Sequence, residues 1–146
     1  MASAETCALS DAHSPKEGSI AAFEALLPEI KTSLIHLRHQ HDKHEPEYFI
    51  TVKDFSDAEL THFTVSDLES VRVGKTNYGL HIFGKIRLPR TNGGYIHVRV
   101  FVGGGGEAGE KTFKLHGIYS GEIEGPTERR YRAILGKRDE LEWFNE

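Results

Sequence analysis

The stretch Val71–Val102, VRVGKTNYGLHIFGKIRLPRTNGGYIHVRVFV, decides the fold. Apolar side chains fall on every second position over most of residues 76–88, and they do so again over residues 96–102. A period of two is typical of half-buried strands. Between the two runs lie residues 89–94, PRTNGG, which are turn-forming residues. The stretch therefore predicts an antiparallel hairpin with one apolar face that needs a cover.

A helical stripe upstream of the hairpin supplies that cover. Its residues recur at steps of three and four: Ile20, Phe23, Leu27, Ile30, Leu34, Leu37 and His41. Such spacing places side chains on one face of a helix. Proline is tolerated in the first turn of a helix and disrupts its interior. We therefore predict a main helix over residues 28–43 that ends before Pro46, with a shorter helix that kinks at Pro28 as the alternative.

Shorter patterns predict additional strands around this helix and hairpin. They cover residues 48–53, 60–65, 68–73, 113–119 and 131–135. A glycine-rich loop at 103–109 and a polar loop at 121–128 separate the later ones. One helix followed by consecutive antiparallel strands is an α+β layout. We expect a sheet of four or more strands with the main helix packed across it.

Composition narrows the possible function classes. The 146 residues predict one domain over residues 18–146, preceded by a flexible polar tail over residues 1–17. The formal net charge of −4 argues against a general nucleic-acid binder. No apolar run approaches the ~20 residues of a membrane span, and no secretory signal is visible. The single cysteine, Cys7, excludes an internal disulfide. We expect a cytoplasmic monomer with no nucleic-acid or membrane partner.

Four short segments carry a family resemblance. They are LPEI at 27–30, GKTNY at 74–78, YIHVRVF at 95–101 and KRDELEWF at 137–144. In this order they resemble the stefins, the disulfide-free intracellular members of the cystatin family. The resemblance spans about residues 18–146. It implies a cystatin-like fold, a papain-like cysteine protease as partner, and reversible, non-covalent inhibition by a wedge of three segments.

The resemblance also implies which residues would bind the protease. They are Gly18, Ser19 and Ile20 in an N-terminal trunk, Ser70, Val71, Arg72, Val73 and Gly74 in a first hairpin, and Gly103, Gly104, Gly105 and Gly106 in a second hairpin. The chain departs from the family pattern, since Ser70 replaces a glutamine, Arg72 replaces a valine and Lys75 lengthens the turn. An arginine buried without a partner costs free energy, and glycines add no side-chain contacts. We predict a weaker wedge than that of a regular stefin, which Arg72→Val would strengthen. The alternative is a non-inhibitory protein- or glycan-binding module on the same scaffold.

Other constellations have simpler interpretations than a chemical site. Four histidines lie near the end of the helix: His36, His39, His41 and His44. They could chelate zinc or copper. The simpler interpretation is a solvated helix end whose weakly basic side chains complement the helix dipole. Residues 104–109 formally match a phosphate-binding glycine pattern, yet a strand rather than a helix follows them. Cys7 lies in the tail, and the arginines at 129, 130 and 132 predict a solvated strand face. We expect no enzymatic activity, no metal and no cofactor.

Overall fold

One long helix packs against a four-stranded antiparallel sheet in a computed structural model of the chain. The structure describes residues 9–44, 49, 53–76, 78–91, 93–104, 111–119, 121–124, 129–132, 134–135, 141 and 144. The helices are α1 (Glu17–His44) and α2 (Asp57–Leu60), followed by a 3-10 turn (Val65–Asp67). The strands are β1 (Leu68–Thr76), β2 (Gly79–Leu88), β3 (Gly94–Gly104), β4 (Lys111–Ile118), β5 (Gly121–Glu124) and β6 (Arg129–Arg132). The predicted α+β layout is confirmed, and it is consistent with a cystatin-like fold.

The main sheet is a meander with the order β1-β2-β3-β4. The predicted hairpin is present as β2 and β3, in register with Ile82 opposite Val100 and Ile86 opposite Ile96. Gly84, opposite Val71, lets α1 approach closely, because a Cβ there would lie 2.4 Å from the ring of Phe23. β5 and β6 form a separate two-stranded ladder within the segment where we predicted a polar loop and a last strand.

The helix begins eleven residues earlier than the preferred boundary at Pro28. It is continuous from Glu17 to His44 with the proline inside it and exposed to solvent. A proline inside a helix costs about 3 kcal/mol because it removes a hydrogen bond and crowds the preceding turn. Buried side chains on both sides offset that cost: Phe23 before the proline and Ile30 after it are at most 1% exposed. Tertiary packing therefore outweighs the local signal to start the helix at the proline.

Two other expectations about the chain before β1 need correction or lie outside the structure. Residues 60–65 are not a strand, because Leu60 ends α2. That short helix has a capping box in which the Ser56 side chain accepts from the Glu59 backbone and the Glu59 side chain accepts from the Ser56 backbone, both at 3.1 Å. Of the strand predicted over 48–53, only Phe49 and Lys53 lie within the described residues, and neither is in a strand.

The sheet face opposite α1 is covered as well, by the C-terminal part of the chain. Phe83, Leu141 and Phe144 form a second apolar cluster, in which Phe83 is 0% exposed. The rings of Phe83 and Phe144 pack edge to face at 5.2 Å. As a result, polar residues that alternation placed on a solvated face are buried: His81, Lys85, His97 and Arg99. The interpretation of these strands as half-buried is therefore wrong.

Residues 9–13 pair with the free edge of β1. The backbone N–H of Ser10 donates to Val73 at 2.8 Å, and Val71 and His13 exchange two backbone hydrogen bonds of 2.9 and 3.0 Å. We expected a flexible tail over residues 1–17, but residues 9–13 are paired with β1. Their pairing uses backbone groups, which leave no side-chain periodicity to read in the sequence.

Candidate functional site

Three chain segments meet at one end of the main sheet. Leu9 opposes Gly74, two residues before β1 ends at Thr76. Gly79 at the start of β2 opposes Gly103 near the end of β3, and β4 begins beside that end. The N-terminal segment, the β1–β2 turn and the ends of β3 and β4 therefore lie side by side. We call this end of the sheet, defined by Leu9, Tyr78 and Gly103, the three-segment end.

The β1–β2 turn holds an aromatic side chain in solvent at the three-segment end. Tyr78 is 82% exposed, the most exposed large apolar residue among those described. Its backbone N–H donates to the Thr76 hydroxyl at 3.3 Å, and that hydroxyl donates to the Gly79 carbonyl at 3.2 Å. A Cβ at Gly79 would lie 2.2 Å from the Val102 carbonyl oxygen, so only glycine allows β3 to approach this closely. The turn is thus braced by its own residues and by the neighbouring strand.

The segment assigned to the first hairpin, Ser70–Gly74, is part of the first strand of that hairpin. It lies inside β1, paired with β2 on one side and with residues 9–13 on the other. Val71 is 0% exposed in the core beneath α1, and Val73 packs partly against the same core. The strand predicted over 68–73 is therefore present, and its pairing with β2 continues to Thr76, which opposes Gly79, so that Tyr78 lies in the turn of this hairpin.

Arg72 ties two terminal segments to β1. Its Nε donates to the Ser10 carbonyl at 2.8 Å, and its Nη1 donates to the Leu141 carbonyl at 2.6 Å. The side chain is half-buried on the sheet face opposite Val71. In the free protein, two main-chain carbonyls therefore accept hydrogen bonds from this guanidinium. The predicted cost of burying Arg72 in a protease cleft stays a prediction.

The other predicted site residues that the structure describes lie at the start of α1 and at the end of β3. Gly18, Ser19 and Ile20 lie in the first turn of α1 rather than in an extended trunk, because the Ile20 N–H already donates to Lys16 at 2.9 Å. Gly103 and Gly104 are the last residues of β3. Gly105 and Gly106 lie outside the described residues. The structure brings Gly18, Ser19 and Val73 together on one groove, between α1 and the sheet at the three-segment end.

The histidines at the end of α1 do not converge where they are described. His36 and His39 are exposed, and His39 Nε2 lies 3.0 Å from a carboxylate oxygen of Asp57. The side chains of His41 and His44 lie outside the described part of the chain, as do Cys7 and the arginine side chains of β6. Within the described part, no group of three or more histidine, cysteine, aspartate or glutamate side chains is arranged to hold a metal ion.

His81 forms an aromatic cluster on the face opposite α1. Its ring lies 5.0 Å from that of Phe101 and 5.9 Å from that of His116. Its Nδ1 lies 3.1 Å from Nη2 of Arg99, which also donates through Nη1 to the Phe144 carbonyl at 2.9 Å. Burial lowers the pKa of His81, and the charges of Arg99 and His116 lower it further. Folding therefore favours the neutral form of this imidazole.

This pKa shift predicts a loss of stability in mild acid. Below the ordinary histidine pKa of about 6.5, the unfolded chain binds a proton at His81 that the folded chain refuses until its own lower pKa is reached. The free energy of unfolding should fall as the pH drops through that window. In His81→Gln, whose amide oxygen can still accept from Arg99, urea unfolding at pH 5, 6 and 7 should show a shallower decline than in the wild type. His36→Gln, at an exposed histidine, is the control and should keep the wild-type slope. Equal slopes in all three proteins would contradict the assignment.

The comparisons with known proteins assign no family. No family model, curated protein or solved structure matches the chain. None of the described helices is both long and apolar enough to cross a membrane. The function has to be argued from the geometry of the three-segment end.

Proposed function

We propose that the protein is a reversible, non-covalent inhibitor of papain-like cysteine proteases and that the three-segment end enters the protease cleft. One observation carries the proposal: three chain segments meet at one end of the sheet, with Tyr78 exposed at the tip of the β1–β2 turn. A wedge of three segments is what the resemblance to stefins implies. A projecting edge of this kind is complementary in shape to a concave cleft.

The physical basis of binding would be burial of a preorganised aromatic residue. Tyrosine is among the residues most enriched at binding hot spots, because it buries a large area and loses little rotamer entropy. The hydrogen bonds of Thr76 and the close packing of Gly79 already restrain the turn in the free protein. Less conformational entropy is then lost on binding. The wedge would block the cleft by filling it, without reacting with the catalytic thiol.

The proposed contact differs from the residues first assigned to the wedge. Ser70–Gly74 lie in a paired strand, and Val71 is buried, so they are poor candidates for direct contact. Tyr78 takes the central place instead. Arg72 is engaged by Ser10 and Leu141, so its charge does not have to enter the cleft.

Titration of papain with the purified protein, followed by hydrolysis of a small peptide substrate, tests the proposal. We expect inhibition that is reversed by dilution, with the inhibitor chain left intact. Tyr78→Ala should raise the inhibition constant about 30-fold, corresponding to the loss of a ~2 kcal/mol hot spot. Arg90→Ala is the control, because Arg90 is exposed in the β2–β3 turn at the opposite end of the sheet. It should inhibit like the wild type.

Two results would count against this function. Absence of inhibition at micromolar protein would exclude papain-like proteases as partners and favour the alternative, a protein- or glycan-binding module without protease activity. Equal inhibition constants for Tyr78→Ala and Arg90→Ala would instead mean that the protein inhibits the protease through a surface other than the three-segment end.

A further inference from the structure

A groove lies between the start of α1 and the sheet, on the helix-facing side of the three-segment end. Its volume is about 680 Å³, within the range of about 300–1,000 Å³ that is usual for small-molecule sites. The groove exists because the helix residues above it are small: Gly18, Ser19 and Ala21 line it. A Cβ added at Gly18 would meet no atom within 4 Å. The first turns of α1 therefore do not fill the space above this part of the sheet.

The floor of this groove is apolar. Six apolar side chains form it: Leu9, Val73, Leu80, Ile82, Val102 and Phe113. Ile82 is 2% exposed, but Val73, Leu80 and Phe113 keep part of their surface accessible at the edge of the core. A concave apolar surface that the fold leaves open is a common mark of a ligand site, since covering it removes apolar area from water.

The rim of the groove is basic, in a protein whose net charge is −4. His13, Lys16 and Lys75 line it, and among the lining residues that the structure describes none is acidic. Lys16 is exposed immediately before the first residue of α1. An apolar floor beneath a cationic rim is complementary to a molecule with a hydrocarbon body and one anionic end. The same rim disfavours a cationic molecule of equal length.

We propose that this groove binds a single-chain amphiphile with one negative charge, of the fatty-acid type. The alkyl chain lies over the apolar floor, and the carboxylate lies at the rim with Lys16. This binding does not depend on protease inhibition, because the groove is on the helix-facing side of the sheet whereas Tyr78 projects from the turn. Either activity can fail without the other.

Calorimetric titration with alkyl carboxylates below their micellar concentrations tests the chemistry of the ligand. Burial of a methylene group contributes about 0.8 kcal/mol, so affinity should rise roughly fourfold per methylene from octanoate to decanoate. Decanol should bind more weakly than decanoate, and decyltrimethylammonium should bind at least tenfold more weakly. Absence of carboxylate binding, or equal binding of the anion and the cation, would overturn the proposal.

Paired variants test the location of the ligand. Ala21→Phe places a ring in the groove, whereas Ala25→Phe places one at an exposed position of α1 that does not line it. We expect decanoate affinity to fall at least tenfold in the first and to stay unchanged in the second. Lys16→Glu should weaken decanoate but not decanol, and Lys43→Glu, near the far end of α1, should change neither. Thermal melting of each variant verifies folding. Unchanged decanoate affinity in folded Ala21→Phe would exclude this groove.

Discussion

Leu34→Ala is expected to lower the free energy of unfolding by about 2–5 kcal/mol. Leu34 is 0% exposed and belongs to the core cluster between α1 and the sheet. Truncation to alanine loses the transfer free energy of three carbon atoms and leaves a cavity that rigid neighbours fill only partly. Ile30 and Val98 in the same cluster are also 0% exposed, so little slack is available for collapse.

Urea unfolding followed by circular dichroism measures this loss. Leu27→Ala is the matched control, because it makes the same chemical change on the same helix at a side chain that is only partly buried. Its cost should be clearly smaller than that of Leu34→Ala. Equal costs for the two substitutions would mean that α1 does not pack on the sheet through Leu34, which would contradict the α+β core.

The hairpin and the fold class were predictable from sequence because they depend on local patterns. Alternation over residues 76–88 and 96–102 marks two strands whatever their surroundings, and it matches β2 and β3 closely. The helix was predictable in kind but not in extent. Pro28 is a strong local signal for a helix boundary. The burial of Phe23 before it and of Ile30 after it explains why α1 nevertheless continues on both sides of the proline.

The features that alternation could not predict are those set by distant parts of the chain. Alternation predicts an apolar and a polar face, but it does not indicate that Leu141 and Phe144 cover the polar face of the sheet. Arg38 illustrates the same limit: its buried guanidinium donates to the main-chain carbonyls of Lys53 and Phe55, beside a 3.4 Å ion pair with Asp57. Bonds from a side chain to a distant backbone impose no residue type on the partner, so they leave no motif.

The candidate site was predictable in part. The resemblance included the segment GKTNY, which ends at Tyr78, but it assigned protease contact to Ser70–Gly74, which lie in strand β1, and not to Tyr78 in the turn. Strand pairing decides the position of the turn, and the pairing of β1 with residues 9–13 has no side-chain pattern. The groove beneath α1 was missed because it arises from small residues on the helix opposite large ones on the sheet, a juxtaposition that only the fold creates.

Arg72→Met is expected to lower the free energy of unfolding by about 2–3 kcal/mol rather than to strengthen inhibition. Hydrogen bonds that involve a charged group contribute about 1.5–3 kcal/mol, and the Arg72 side chain that makes them is half-buried. From the sequence alone, replacing Arg72 with an apolar residue was predicted to improve the wedge. In the structure its guanidinium joins β1 to Ser10 on one side and to Leu141 on the other. Methionine retains most of the length of the side chain but leaves both carbonyls without this donor.

Two measurements distinguish the bridging role of Arg72 from that of an ordinary surface arginine. Urea unfolding of Arg72→Met is compared with that of Arg87→Met, whose guanidinium is about half exposed and makes a 3.4 Å ion pair with Asp67. Such exposed pairs contribute about 0–1 kcal/mol, so the control should lose little stability. Amide exchange at Ser10, whose N–H donates to Val73, should accelerate in Arg72→Met and not in Arg87→Met. Unchanged exchange at Ser10, together with equal stability of the two variants, would show that Arg72 does not hold the N-terminal segment on β1.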